Sequence, residues 1–231
     1  MVSIILPVLN EGENLKILVP EIYKILKKEI FEIIVIDDDS KDNTDQILKG
    51  MKQKVTYIAR KDKKGLSSAV IKGFDLARGD VYLVMDSDLS HPVDVIPRLL
   101  KEIRQGADIA IASRYIQGGG VTKWPWPRKL ISVFATLLAR PIVPVKDPLA
   151  GFFCLKKNVI KNVSLNPIGF KILLEIIVKG HHDKIMEIPY MFRDRFAGES
   201  KADIKIYFQY NLHLVKLYFY KFKNLFQTVL K

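Results

Sequence analysis

Apolar runs alternate with amphipathic stretches along the first half of the chain. Short β-branched and apolar segments predict buried strands at residues 2–8, 31–37, 54–59, 81–86 and 108–113. Helical spacing of apolar positions predicts helices at residues 13–28, 42–51, 65–77 and 93–105. Strands that alternate with helices are typical of βαβ units. The pattern therefore predicts an α/β domain with a mainly parallel central sheet flanked by helices.

Acidic and amide side chains follow the ends of several predicted strands. Asn10 and Glu11 follow the first strand, three aspartates end the second at residues 37–39, and Asp86 and Asp88 follow a later one. The carboxyl ends of parallel strands meet at one edge of a sheet, and ligands bind there in open α/β folds. We therefore expect these side chains to converge on one site.

The stretch VMDSDLSHP, residues 84–92, places Asp86 and Asp88 one residue apart after an apolar strand. These carboxylates could cap the next helix, but a cap needs one such side chain, and Ser87 or Ser90 could supply it. Two neighbouring carboxylates are costly unless a cation neutralises them. Mg²⁺ and Mn²⁺ bind through one or two carboxylates plus substrate phosphates, so the spacing favours a divalent metal site.

Composition and charge narrow the class of partner. The 231 residues are 48% hydrophobic, which is typical of a globular chain, and the net charge of +12 favours an anionic partner. That partner could be a nucleic acid, a phosphate-bearing substrate or an anionic membrane. Residues 109–146 contain no acid but include Arg114, Lys123, Arg128, Lys129, Arg140 and Lys146. The single cysteine, Cys154, suits a reducing compartment, and the N-terminus shows no signal-peptide pattern.

Motifs in a fixed order carry a resemblance to a known family. They are ILPVLNEGENL, VIDDDSKDNT, KGLSSAVIKGF, GDVYLVMDSDLSHP, ASRYIQGG, DPLAGFF, NPIGFKILLE and DRFAGESK. The set resembles the family 2 glycosyltransferases of the GT-A fold and, more narrowly, the archaeal dolichyl-phosphate mannose synthases. The resemblance runs from residue 2 to about residue 201. It implies a GT-A catalytic domain over residues 1–203 and a C-terminal amphipathic segment at the membrane interface over residues 204–231.

The resemblance implies a donor site at the strand ends. Asp86 and Asp88 would hold Mg²⁺ or Mn²⁺ on the diphosphate of the sugar nucleotide, with Ser90 where the family has Gln as a further metal contact. The nucleotide-sugar site would comprise Pro7, Leu9, Glu11, Ile36, Asp38, Asp86, Ser87, Asp88, Lys171, Arg195 and Lys201. The family often has an aromatic residue where Leu9 stands, so the identity of the base stays open.

The resemblance also implies an acceptor site, in which Arg114, Arg128 and Ser132 bind the phosphate. A phosphate monoester has a second pKa near ~6 and is already ionised at pH 7, so it needs positive charge and no general base. The implied reaction is inverting, metal-dependent transfer of mannose from GDP-mannose to dolichyl (polyprenyl) phosphate. The expected catalytic residues are Asp88, Arg114, Arg128 and Arg195.

Other functions remain open from the residues alone. The same motifs would serve transfer of glucose from UDP-glucose to a polyprenyl phosphate. A basic, aromatic-rich chain could also bind nucleic acid. Acids gathered at the strand ends would repel a phosphate backbone, so no nucleic-acid partner is expected. A catalytically inactive relative would have little reason to retain Asp86 and Asp88 together with Arg195 and Lys201.

Two segments bear on a membrane. Residues 130–145 are apolar but shorter than the ~20 residues of a spanning helix. Residues 204–231 mix aromatic residues with lysines, as interfacial helices do, although a core-packing terminal helix is the alternative. We expect a peripheral protein on the cytoplasmic face of the cell membrane, with a membrane-anchoring protein partner as a second route. Trp124, in the loop before this apolar run, is compatible with ligand contact or with packing.

Overall fold

The computed structural model describes residues 1–61, 65–122, 124–193 and 204–229, with side chains 208–223 in the last range. The strands are β1 (Val2–Val8), β2 (Phe31–Asp37), β3 (Thr56–Ala59), β4 (Val81–Val84), β5 (Ile109–Ser113), β6 (Gly120–Val121), β7 (Phe153–Lys156), β8 (Ile185–Pro189) and β9 (Met191–Phe192). The helices are α1 (Gly12–Ile25), α2 (Thr44–Gly50), α3 (Leu66–Leu76), α4 (Ile96–Arg104), α5 (Trp126–Ala139), α6 (Ile172–Lys179) and α7 (Ile204–Val229). Short 3₁₀ turns lie at Val93–Val95, Arg140–Ile142 and Lys157–Ile160.

A seven-stranded sheet with the order β3-β2-β1-β4-β7-β5-β8 forms the centre of the fold. β7 is antiparallel to β4 and β5, and the other neighbouring pairs are parallel. β6 and β9 form a separate parallel pair. The expected α/β architecture with a mainly parallel sheet is therefore confirmed. The antiparallel β7 was not among the predicted strands.

The core lies on both faces of this sheet because successive residues of a strand point to opposite faces. In β1, Ile5 joins a cluster with Val70 and Phe74 of α3. Its neighbours Ile4 and Leu6 join a second cluster that includes side chains of α1 and α4. Helices therefore cover both faces, as in other α/β folds, and the strand ends stay open to form a site.

Helix α7 is attached to the rest of the protein along α5. The Tyr210 hydroxyl donates to Ala135 O at 2.6 Å, and the Tyr218 hydroxyl donates to Leu138 O at 2.8 Å. Tyr210, Leu214 and Leu217 belong to the core cluster that also contains Ile5. α7 therefore packs against the core on one side, which is what the core-packing alternative expected. Phe208 and Phe219, 69% and 73% exposed, lie on the same helix.

In the described part of the chain, no helix is both long and apolar enough to span a bilayer.

Candidate active site

The loop after β4 carries the two carboxylates singled out in the sequence. β4 ends at Val84, two residues earlier than predicted, because the Asp86 N–H donates to the side chain of His91 at 3.0 Å. Asp88 Oδ1 accepts hydrogen bonds from the backbone N–H and the hydroxyl of Ser90, at 3.1 and 2.5 Å. The Ser87 hydroxyl donates to Pro7 O at 3.2 Å. The loop is thereby fastened to the end of β1.

His91 is buried beneath this loop and orients Asp86. Its Nδ1 accepts the Asp86 N–H, so a neutral ring carries its proton on Nε2, which lies 3.9 Å from Asp86 Oδ2. Burial lowers the pKa of His91 and favours this neutral form, although the charges of Asp86 and Asp88 act in the opposite direction. The imidazole stacks on Phe152 with ring centroids 5.0 Å apart. The position of Asp86 is thus fixed by an imidazole that is itself held against an aromatic ring.

The donor set of this loop fits a divalent metal shared with a ligand. Asp88 is buried, whereas the Asp86 side chain is 30% exposed. Across the described ranges, no group of three or more His, Cys, Asp and Glu side chains gathers to hold a metal alone. Mg²⁺ and Mn²⁺ commonly take one or two carboxylates and complete their shell with water and substrate phosphate. Asp86 and Asp88, with the Ser90 hydroxyl beside them, match that chemistry.

The predicted nucleotide residues fall into two groups at the ends of β1 and β2. Leu9 is 45% exposed beyond the end of β1, and Glu11 accepts the side-chain amide of Asn14 at 2.5 Å. Pro7 is buried within β1. The side chain of Ile36 is fully buried in the core cluster of Ile5, and the place of Ile36 in the nucleotide-sugar site stays a prediction. The alternation of β2 turns this side chain into the core.

Asp38 is held by an arginine that the sequence analysis did not single out. Arg60 Nε donates to Asp38 Oδ1 at 2.8 Å, and a second guanidinium nitrogen of Arg60 contacts the same oxygen. The backbone N–H of Gly65 donates to Asp38 Oδ2 at 2.6 Å. Arg60 follows the end of β3, at the same edge of the sheet. That position was the available signal, because clustered acids there call for a cation.

Arg114, predicted to bind the acceptor phosphate, makes a buried bidentate ion pair with Asp147. Its Nε and Nη2 donate to the two oxygens of Asp147, each at 2.8 Å, and its backbone N–H donates at 2.9 Å. Burial alone would lower the pKa of Arg114. The hydrogen bonds and charge of Asp147 outweigh burial and raise it. The Nε and Nη2 groups of Arg114 are thus engaged by Asp147, and the predicted role of Arg114 at the acceptor phosphate stays a prediction.

The other predicted acceptor residues gather around two aromatic rings. The Arg128 guanidinium lies 4.2 Å from the centre of the Trp124 ring, and that of Arg114 lies 5.8 Å from it. The Tyr115 hydroxyl donates to Ser132 Oγ at 2.7 Å, and Arg114 lies 5.3 Å from the Tyr115 ring. The structure therefore brings Arg114, Arg128 and Ser132 together, through contacts with Trp124 and Tyr115.

Lys171 lies between the two halves of the site. Its Nζ donates to Leu149 O at 3.0 Å and lies 4.2 Å from the centre of the Phe170 ring. Burial lowers its pKa to about 7, and the charge of Arg114 acts in the same direction, while Asp147 and Asp86 oppose the shift. The neutral amine of such a lysine gains a proton more readily when an anion binds beside it, because the anion stabilises the charged form.

Arg195 and Lys201, predicted to close over the diphosphate, lie outside the described residues, so their roles stay predictions from the sequence. The last described residue before them, Arg193, donates its backbone N–H to Ser90 O at 3.1 Å. The described chain that leads toward the DRFAGESK motif is therefore fastened to the loop of Asp88.

Comparisons with known proteins identify the family of the chain. The model of the family "Glycosyl transferase family 2" matches residues 3–164. A Dolichol-phosphate mannosyltransferase of Pyrococcus furiosus is 49% identical over 222 residues, which cover 94% of this chain and 63% of that protein. A Dolichol-phosphate mannosyltransferase of Saccharomyces cerevisiae is 36% identical, over 95% of this chain and 88% of its own length. The chain thus spans less than two thirds of the archaeal relative and most of the yeast one.

Solved structures show the same fold. Glucosyl-3-phosphoglycerate synthase from Mycobacterium tuberculosis, crystallised with Mn²⁺, UDP-glucose and phosphoglyceric acid, aligns with a TM-score of 0.73 at 18% identity. The alignment covers 94% of this chain and 79% of that one. The predicted GT-A fold and the resemblance to dolichyl-phosphate mannose synthases are thereby confirmed. The chain belongs to glycosyl transferase family 2.

Proposed function

We propose that this protein transfers mannose from GDP-mannose to a dolichyl or other polyprenyl phosphate, with inversion and with Mg²⁺ or Mn²⁺. Membership of glycosyl transferase family 2 supports the reaction class, and the mannosyltransferase relatives support the sugar and the acceptor. The residues Asp86 and Asp88 support the metal through their donor chemistry.

One observation carries the proposal: helix α5 combines phosphate-binding side chains with an apolar surface. Arg128 and Ser132 stand one helical turn apart, so they share a face of α5. On the same helix, Leu130, Phe134 and Leu137 are 58%, 64% and 49% exposed. A phosphate held at Arg128 and Ser132 would therefore lie on a helix that also exposes hydrocarbon, including Ile131, which is 45% exposed and three residues from Arg128. An acceptor with a phosphate head and a polyprenyl tail matches both features.

The reaction needs one nucleophile and one leaving group. An ionised oxygen of the acceptor phosphate attacks the anomeric carbon of mannose, and the bond to the diphosphate breaks with its electron pair leaving on GDP. No proton has to be removed from the acceptor, because the monoester is already ionised at pH 7. Bound Mg²⁺ or Mn²⁺ would neutralise charge that develops on the leaving diphosphate.

The side chains of this protein hold the two anions in place. Arg128 and the Ser132 hydroxyl bind the acceptor phosphate, and Arg114, fixed by Asp147, adds positive charge beside it. The protonated Lys171 side chain would contribute positive charge near Asp86 and the diphosphate. Arg195 and Lys201 keep the roles on the diphosphate that the family resemblance implies. Positive charge on both sides offsets the repulsion between the two phosphate groups.

The proposal includes docking on a membrane surface, where the polyprenyl acceptor is found. Exposed apolar side chains on α5 and α7, such as Phe134 and Phe219, would enter the headgroup region. The net charge of +12 favours an anionic leaflet. We place this contact on the cytoplasmic face, since the single cysteine suits a reducing compartment. A membrane-anchoring protein partner is the alternative means of attachment.

A transfer assay tests the proposed reaction. Purified protein is incubated with radiolabelled GDP-mannose or UDP-glucose, dolichyl phosphate, and Mn²⁺ or Mg²⁺, and label is counted in the lipid phase. We expect label from GDP-mannose only, and its loss in Asp88→Ala and on chelation of the metal. Label from UDP-glucose would keep the mechanism and replace the donor. No lipid-linked label from either donor would refute the proposal.

A further inference from the structure

Trp124 has an unpaired hydrogen-bond donor in the middle of the acceptor site. The side chain is buried, with 9% of the residue exposed, and its Nε1 has no hydrogen-bond partner among the residues that the structure describes. Buried donors are nearly always satisfied in folded proteins, so such an indole N–H calls for a partner beyond the described residues. Its surroundings indicate which kind of partner.

Two arginines surround the Trp124 ring, and the two-stranded β6–β9 sheet holds it. The Arg128 guanidinium lies 4.2 Å from the ring centre and that of Arg114 lies 5.8 Å from it. Phe192 of β9 packs on Trp124 at 5.3 Å in an edge-on arrangement. Residues of β9 accept hydrogen bonds from the loop before Trp124, where Thr122 N–H donates to Phe192 O at 3.0 Å. The indole therefore has a fixed position beside two guanidinium groups, of which that of Arg114 is paired with Asp147.

We propose that the Trp124 indole N–H donates a hydrogen bond to the acceptor phosphate, and that the Trp124 ring positions Arg128 for the same phosphate. This inference rests on the proposed function and assigns a further residue to its acceptor site. The ligand is a phosphate monoester at the end of an apolar chain.

The donors around the ring match such a group. Arg128 supplies charge, and Ser132 accepts a hydrogen bond from Tyr115, which leaves its own hydroxyl proton to be donated. The Trp124 N–H adds a neutral donor that suits an anion but offers nothing to a cation. A terminal phosphate presents three oxygens and can accept all of these hydrogen bonds, whereas a phosphodiester presents two unesterified oxygens.

The test removes the N–H while keeping an aromatic ring. Trp124→Phe retains a surface for Arg128, and Trp124→Ala removes both ring and N–H. As a matched control, Trp126→Phe makes the same chemical change at a 73% exposed ring to which none of the described cation–ring contacts belongs. For each variant, KM is measured separately for a short-chain isoprenyl monophosphate and for GDP-mannose, and thermal unfolding reports folding.

For Trp124→Phe we expect the acceptor KM to rise about tenfold or more, which is the cost of a lost hydrogen bond to a charged group. KM for GDP-mannose should stay within twofold of the wild type, and Trp126→Phe should leave both values unchanged. An acceptor KM within twofold of the wild type in Trp124→Phe would overturn the role of the N–H. We expect the acceptor KM to rise further in Trp124→Ala than in Trp124→Phe, because Trp124→Ala also removes the ring that contacts Arg128.

A binding measurement separates this inference from the proposed reaction. Calorimetric titration of wild-type protein and Trp124→Phe with the isoprenyl monophosphate needs no sugar donor and no turnover. Weaker binding by about tenfold in the variant supports the inference even if the transfer assay fails. Equal affinities overturn it even if transfer succeeds. The corresponding phosphodiester, as a stand-in for a lipid headgroup, should bind both proteins weakly and alike; equal binding of mono- and diester by the wild type would contradict a monoester site.

Discussion

At the scale of single residues, the orientation of Asp86 depends on His91. The imidazole Nδ1 accepts the Asp86 N–H, and the ring is fixed by stacking on Phe152. Gly151 contributes from the other side, since a Cβ there would lie 3.3 Å from Asp86 Oδ2. Groups that orient metal-binding carboxylates in this way affect metal affinity without contacting the metal themselves.

Two variants of His91 distinguish its role in orienting Asp86 from the packing of its ring in the core. Asn places an acceptor oxygen close to the position of Nδ1, whereas the acceptor of Gln lies one bond further from the backbone. We expect His91→Gln to weaken Mn²⁺ binding in the presence of GDP about tenfold or more, and His91→Asn to weaken it less. Electron paramagnetic resonance of Mn²⁺ measures this directly. Equal losses in the two variants, at matched thermal stability, would indicate packing alone.

Lys171 links stability to pH through a depressed pKa. Burial places its folded-state pKa at about 7, below the usual lysine pKa of 10.5. Between these values the unfolded chain binds more protons than the folded protein, so the contribution of Lys171 to stability rises with pH. Relative to Lys171→Met, the wild type should gain about 1–3 kcal/mol of unfolding free energy from pH 7 to pH 9.5. Urea unfolding at the two pH values measures this difference. An unfolding free energy of the wild type, relative to that of Lys171→Met, that does not rise from pH 7 to pH 9.5 would contradict the expectation.

The residues that the sequence identified and those it missed differ in a physical way. Asp86 and Asp88 are close in the sequence, so their spacing alone singled them out, and the structure places both in the loop after β4. Arg60 and Asp147, which hold Asp38 and Arg114, come from distant loops that only tertiary structure brings close. No periodicity encodes such pairing. The sequence therefore predicted charged side chains at the site but not which of them neutralise one another.

At the scale of elements, the Arg114–Asp147 ion pair joins the end of β5 to the loop before β7. Asp147 is fully buried, and its own N–H donates to Glu187 of β8 at 3.0 Å.

Strand β7 was not predicted from the sequence. Its four residues follow an irregular loop and pair antiparallel with β4 and β5, so β7 is not part of a βαβ repeat that the sequence pattern could indicate. The Arg114–Asp147 ion pair therefore stabilises the region in which strands and helices no longer alternate regularly.

Removal of the Asp147 charge should therefore destabilise the fold strongly. Asp147→Asn leaves Arg114 buried without a counter-charge, and loss of one partner of a buried pair costs about 3–5 kcal/mol. We expect a lower midpoint of chemical denaturation at an unchanged slope. Asp94→Asn, the same change at an exposed carboxylate, should lie within about 0.5 kcal/mol of the wild type. Similar midpoints for the two variants would show that the pair contributes little.

At the scale of the whole molecule, the proposed acceptor site and large exposed apolar side chains occur on the same helices. α5 carries Arg128 and Ser132, and its backbone carbonyls accept the hydroxyls of two α7 tyrosines. Both helices also bear large exposed apolar residues. The family model ends at residue 164, so α7 lies outside the matched region. The proposed acceptor site and the proposed docking side chains are therefore carried by the same pair of helices.

Vesicle binding tests this arrangement without any turnover. We expect the double variant Phe134→Asp and Phe219→Asp to reduce co-sedimentation with anionic vesicles at least tenfold, since burial of one such side chain contributes about 1.5–3 kcal/mol. Both residues are exposed, so folding should be unaffected. Ile30→Asp, at a 77% exposed position just before β2, is the matched control and should bind as the wild type does. Wild-type binding should weaken with added salt, because the net charge of +12 contributes to it. If the purified wild type does not bind vesicles, direct docking is wrong and attachment requires a membrane protein partner.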